Sequence, residues 1–224
     1  MHRILVIAPH PDDEILGCGG TIIKNIKQGC EVFVCIVTKG MPPLFKEDRV
    51  ELTRQHTREC HQSIGVKQTI FLDFPSVTLE KEDRYKLNQA ILEVIKEIKP
   101  TEVYIPHYGD MQKDHQIVVD AAMVALRPKY NFGIKKIYGY ETMSETAWNI
   151  PNIQNEFIPN AFVDISKELD EKLKALSYFK LQVSDFPDAR SLEAVEALAK
   201  YRGALMNMRA AEAFMIIREI ITKS

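Results

Sequence analysis

An α/β fold is what the sequence predicts: a mostly parallel central sheet lying between two layers of helices. Three observations predict it. Short apolar runs alternate with amphipathic segments of helical length through residues 4–141. The first run, 4–8 (ILVIA), is apolar at every position, the pattern of a strand buried on both faces. Glycine or proline closes the helical segments, at Gly29, Gly65, Pro100 and Pro128. Such alternation builds parallel βαβ units.

The elements follow in order. Residues 4–8 are the first strand, and 14–28 a helix ended by Gly29. Residues 31–38, rich in Val, Ile and Phe, are the second strand; 39–44 (KGMPPL) is a loop, and 46–64 a charged helix closed by Gly65. The third strand is 69–74. Residues 82–99 carry Leu87, Ile91, Val94, Ile95 and Ile98 at helical spacing and stop at Pro100. The fourth strand is 102–106 (EVYIP), followed by a helix over 113–126 and a fifth strand over 135–141. Right-handed crossovers favour the strand order 3-2-1-4-5, a Rossmann-like three-layer sandwich. Beyond 141 lies a C-terminal extension: a polar loop at 149–160, a short strand at 162–165 and a helix from an N-cap at Ser166 to about Leu181. A helix over 191–203 follows, and 213–217 is a strand or part of a terminal helix. With no linker or repeat, the chain reads as one domain over 1–224.

With 224 residues, 46% apolar and 27% charged, the composition is that of a folded globular chain. The 29 basic and 31 acidic residues leave a formal charge of -2, which argues against nucleic acid as a partner. No apolar run reaches the ~18 residues of a membrane span, and no signal peptide opens the sequence. Cys18, Cys30, Cys35 and Cys60 form no C-x-x-C pair and read as thiols of a reducing cytoplasm. A cytoplasmic location is therefore expected; a homo-oligomer is left open.

In a sheet of this order the chain reverses between the first and fourth strands, and ligands bind beyond the strand C-termini at that point. Two polar clusters fall there. Pro9-His10-Pro11-Asp12-Asp13-Glu14 follows the first strand, and His107-Tyr108-Gly109-Asp110-Met111-Gln112-Lys113-Asp114-His115 follows the fourth. Either alone fits a turn with a helix cap at Asp13 or Asp114. Together, imidazoles and carboxylates at adjacent strand ends suit zinc or another divalent ion with coordination positions left open for catalysis. Of the adjacent Asp12 and Asp13, one can ligate while the other takes a proton from water, which suits hydrolysis of a carbonyl derivative. Gly17-Cys18-Gly19-Gly20 lies inside the first helix, not in a dinucleotide-binding turn, and reads as close helix packing.

At these residues the chain resembles the PIG-L/LmbE-like family of metal-dependent N-acetylglucosaminyl deacetylases. Residues 8–22 (APHPDDEILGCGGTI) are similar to the family's H-P-D-D-E motif with trailing glycines, and 109–115 (GDMQKDH) to its second motif ending in Asp-His. Residues 140–148, 162–166 and 211–214 add weaker likeness, so the resemblance spans nearly the whole chain. It implies His10, Asp13 and His115 as metal ligands, usually to zinc, and Asp12 as the general base. Asp114 would support a histidine, and Glu14 would cap or brace. Where some members place an oxyanion-stabilising histidine, this chain has Gln112, which passes that role to the metal or to His107. The family's Arg-x-x-Glu sugar grip falls on Thr53 and His56, leaving nearby Arg54 as the candidate for the sugar. Tyr140 and Trp148 offer faces for stacking on a sugar ring, or pack in the interior; the loop containing Phe45 could act as a lid. The implied activity is removal of the acetyl group from an N-acetylated amino sugar or conjugate. The alternatives are another amide or acyl substrate at the same metal, or a non-catalytic sugar- or nucleotide-binding protein.

Overall fold

The computed structural model describes residues 2–130 and 132–221. Among these the sheet has seven strands: β1 (Arg3–Ala8), β2 (Glu31–Lys39), β3 (Gln68–Pro75), β4 (Glu102–Pro106), β5 (Lys136–Tyr140), β6 (Ala161–Asp164) and β7 (Ala211–Glu219). Their order is β3-β2-β1-β4-β5-β7-β6. The first five are parallel in the order expected, with β1 between β2 and β4. The helices are α1 (Asp13–Lys27), α2 (Glu47–Ile64), α3 (Arg84–Ile98), α4 (Lys113–Ala125), α5 (Met143–Thr146), α6 (Leu169–Leu176) and α7 (Leu192–Ala204).

Strand alternation makes the three layers. On β1, Leu5 and Ile7 face one side and pack with Leu87, Ile91 and Ile95 of α3 and Val118 and Ala122 of α4. Ile4, Val6 and Ala8 face the other side and pack with Cys18 and Ile22 of α1. Both faces are covered, which is why the strands read as unbroken apolar runs.

In the extension one open reading is settled and one is changed. Residues 213–217, readable as strand or helix, are part of β7, which runs antiparallel between β5 and β6. Its first four residues are buried on both faces, so no period marks it. Ser166 is not an N-cap: its Oγ donates to Asp164 Oδ1 at 2.5 Å. α6 begins later, at Leu169, and ends at Leu176, short of Leu181. By contrast Ser191 caps α7, accepting from the Ala194 N–H at 3.0 Å.

The glycines of α1 serve close packing. A Cβ on Gly17 would stand 2.3 Å from Tyr140 Cδ2 and 2.9 Å from the Glu141 carbonyl, and one on Gly20 2.7 Å from Ile165 Cγ2. Gly17→Ala is therefore expected to lower stability by about 1–3 kcal/mol, the cost of overpacking, read as a drop in thermal midpoint. All four cysteines are free thiols. No helix among the described residues is long and apolar enough to cross a membrane.

Candidate active site

The C-terminal ends of β1 and β4 deliver the two polar clusters to one place. His10 leaves β1 in the turn before α1, Asp13 is the first residue of α1, and His115 lies in the first turn of α4. Their ligand atoms lie within 4.8 Å of one another. Asp13 Oδ2 is 3.2 Å from His10 Nδ1 and 3.2 Å from His115 Nε2. Atoms that share one ion at ~2.1 Å in a tetrahedral shell stand about 3.4 Å apart, close to the two Asp13 distances. Asp13 Oδ1 and His115 Nε2 are buried with no hydrogen-bond partner among the described residues. Orphaned buried polar atoms of this kind are costly, and an ion bound between them would satisfy both.

Neither carboxylate caps a helix. Asp13 Oδ2 accepts from the His10 N–H at 2.9 Å. Asp114 Oδ2 lies 3.0 Å from His10 Nε2 and accepts from the Val77 N–H at 2.7 Å. Asp110 Oδ2 lies 2.8 Å from His115 Nδ1. Each histidine thus has a carboxylate on its outward nitrogen, the arrangement that orients imidazoles toward a metal. Charge in the cluster is equally telling. Burial alone would lower the His115 pKa, but the charge of Asp13 and the hydrogen bond to Asp110 outweigh it and lift it to about 10. Burial would raise Asp13, yet His115 and His10 hold it well below the usual carboxylate range. The carboxylates of Asp13 and Asp110 thus favour positive charge at His115.

Asp12 stands apart from the three. It lies at φ 105°, in the left-handed region that non-glycine residues rarely enter, and makes no side-chain cap bond to α1. Its carboxylate faces a cavity of about 360 Å³ instead, lined by His10, Thr38, Arg54, Gln112 and Arg190 among others. Burial pushes the Asp12 pKa up to about 8, with the Arg190 charge opposing.

Of the residues expected to touch substrate, Gln112 and Arg54 line the cavity. Gln112 Nε2 is 3.5 Å from His10 Nε2. Arg54 is ion-paired with Asp73 and lies over the Phe71 ring, its guanidinium carbon 4.6 Å from the centroid. His107 is placed elsewhere. Its N–H continues the β4–β5 ladder to the Tyr140 carbonyl at 2.9 Å, and its Nε2 is 3.0 Å from the Asn155 carbonyl. Its ring braces the 149–160 loop and is absent from the cavity lining. Tyr140, considered for stacking on a sugar, is fully buried, its OH donating to the Ile7 carbonyl at 3.0 Å. Trp148 is 57% exposed and outside the cavity lining.

Arg190 is the residue sequence reasoning missed. It sits just before α7, donates through Nε to Ser144 Oγ at 3.0 Å and through Nη2 to Glu145 at 3.2 Å, and places Nη1 3.5 Å from Asp12 Oδ2. The only local signal was the capping serine beside it, which fixes where α7 starts. Asp110 was within reach: it stands five residues before His115 in the second cluster.

The fold and site define an α/β protein with an imidazole–carboxylate centre at the switch point of its sheet. The family model for GlcNAc-PI de-N-acetylase (PIG-L) matches residues 5–126, more than half of the chain, and the chain belongs to that family of deacetylases. It is 29% identical over 182 residues to the uncharacterized deacetylase YaiS of Escherichia coli K12, covering 79% of this chain and 90% of that one. It is 27% identical over 230 residues to the diacetylchitobiose deacetylase of Thermococcus kodakarensis, covering 96% and 83%. Among solved structures, GalB, the 4-carboxy-2-hydroxymuconate hydratase of Pseudomonas putida KT2440, superposes with a TM-score of 0.78 at 20% identity, covering 100% of this chain and 99% of that one. That last likeness shows the fold alone, and the fold evidently hosts more than one reaction.

Proposed function

We propose that the protein is a metal-dependent hydrolase that removes the acetyl group from an N-acetylated amino sugar or a conjugate of one. The observation that carries this reading is the convergence of His10, Asp13 and His115 within 4.8 Å beside Asp12 on a cavity wall. Membership of a deacetylase family and the sequence relatives named above support the amide and the sugar.

His10, Asp13 and His115 would hold the ion, and two nitrogens with one carboxylate oxygen suit zinc. A divalent ion there would supply a Lewis acid for the carbonyl and lower the pKa of a water. The chain's own residues do the rest. Asp12 takes the proton of the attacking water and returns it to the departing amine nitrogen, one carboxylate serving as base and then acid. Arg190 keeps that carboxylate turned toward the cavity. Gln112 is placed to donate an N–H to the substrate carbonyl oxygen. Arg54, held by Asp73 and Phe71, presents its fork to hydroxyls on the sugar.

The test is acetate release from a panel of N-acetylated sugars, chitobiose derivatives, nucleotide sugars and acyl amino acids. Protein stripped by chelator is expected to be inactive and to regain turnover with one equivalent of zinc. Asp110→Asn is expected to weaken zinc binding by roughly 10–100-fold, and His115→Ala by more. Turnover that survives complete metal removal would sink the reading. Release of acyl groups only from non-sugar amides would move the substrate class.

A further inference from the structure

Asp12 holds a left-handed backbone conformation that no cap bond from its own side chain secures. Two contacts tie its main chain: the carbonyl accepts from the Ile15 and Leu16 N–H groups at 3.0 and 2.9 Å, and the N–H donates to Glu14 Oε2 at 3.1 Å. The first pair belongs to the start of α1. The second depends on where the Glu14 carboxylate is held.

Glu14 is fully buried, and its other oxygen, Oε1, lies 2.9 Å from His61 Nε2. His61 comes from the last turn of α2 and is itself buried. Its Nδ1 lies 2.7 Å from Thr69 Oγ1 on β3. Both ring nitrogens are thereby engaged, Nε2 by the Glu14 carboxylate and Nδ1 by the Thr69 hydroxyl. The hydrogen-bonded path therefore runs from β3 through α2 and Glu14 to the amide of Asp12, and none of its hydrogen bonds involves His10, Asp13 or His115.

A residue at positive φ persists only where its surroundings over-determine it. Released from Glu14, the 11–12 peptide is free to relax toward ordinary φ values, and the Asp12 carboxylate would swing with it. His61 is the one partner of Glu14 that comes from outside the β1–α1 turn among the described residues.

We propose that His61 is a positioning residue for the reaction, acting through Glu14 to hold the Asp12 peptide in its catalytic conformation. This rests on the reading of Asp12 as the proton-transfer group.

The test is His61→Leu, with Thr69→Val as a milder cut at the outer end of the path, each made in wild type and in Asp12→Asn. In metal-free protein, hydrogen exchange at the Asp12 amide is expected to accelerate at least tenfold in His61→Leu, because its acceptor is no longer fixed. In zinc-loaded protein, kcat is expected to fall about 10–100-fold, the scale of a misplacement of about 1 Å. KM and zinc stoichiometry are expected to stay as in wild type. In the Asp12→Asn background the same substitution is expected to leave the residual rate unchanged, since the path ends on a side chain already disabled. A folded His61→Leu with wild-type kcat overturns the proposal, as does an equal proportional loss in both backgrounds or an unchanged Asp12 amide. If His61→Leu does not fold, Thr69→Val is read by the same criteria, with a smaller expected loss. Full turnover by Asp12→Asn alone overturns the assignment of Asp12 instead, and the amide-exchange result still decides whether His61 holds that peptide.

Discussion

Asp12→Asn is expected to fold, to take up zinc as the wild type does, and to lose turnover by about 10²–10⁴, the usual contribution of a positioned general acid–base group. The amide is close to the carboxylate in size, so cavity shape is retained. Asn cannot accept the proton of an attacking water, nor return one to the leaving nitrogen. The three proposed ligands are not touched: Asp13 meets His10 and His115, whereas the Asp12 carboxylate lies 3.5 Å from Arg190 Nη1. The measurements are zinc per chain, thermal midpoint and kcat on the best N-acetylated sugar. An unchanged kcat at full zinc occupancy would transfer the base role to another group. The buried Glu145, which shares Arg190 with Asp12, would be the first to test.

The contrast between Asp12 and Asp13 also shows what the sequence could and could not convey. Metal ligation and proton transfer require particular side chains at the ends of particular strands, so the two clusters were legible as soon as the strands were placed. The parallel half of the sheet was legible for a related reason. Doubly buried strands must be apolar throughout, and their crossovers have one hand. What was hidden depends on contacts distant in the chain. Arg190 meets Asp12 across 178 residues and His61 meets Glu14 across 47, and neither has a spacing that local periodicity could reveal. His107 was misplaced, and Tyr140 was left open between a sugar face and the interior, for a different reason. Both stand at strand ends facing the site, but strand alternation decides which way a side chain points. It turns Tyr140 against the Ile7 carbonyl, while His107, next along from β4, reaches the 149–160 loop. β7 was ambiguous because its pairing with β5 and β6 is antiparallel and supplied by distant strands.

The same distant pairing sets up the largest stability effect. Glu212 of β7 and Lys172 of α6 form a buried ion pair at 2.6 Å, each side chain only 4% exposed. Nothing in the pair is left unsatisfied. Glu212 accepts from the Gly20 and Thr21 N–H groups at 2.8 and 2.7 Å, and Lys172 donates to the Leu16 carbonyl at 2.8 Å. Three elements, α1, α6 and β7, are thereby joined at the turn of α1 where the glycines let Lys172 and Ile165 approach. Removing one partner strands the other charge in the interior. Glu212→Gln and Lys172→Met are each expected to cost about 3–5 kcal/mol, which for a chain of this size lowers the thermal midpoint by roughly 6–20 °C. Lys172→Met is expected to be the milder, because two backbone N–H groups still face the remaining carboxylate. The double variant Lys172→Met/Glu212→Gln is expected to recover much of the loss, since no net charge is then buried and the Gln carbonyl can accept from one of the two amides. Equal additive losses in the double variant would mean that the pair acts through packing of its aliphatic stems and not through its charges. Neither residue touches the cavity, so the fraction that stays folded and zinc-loaded is expected to turn over at the wild-type rate.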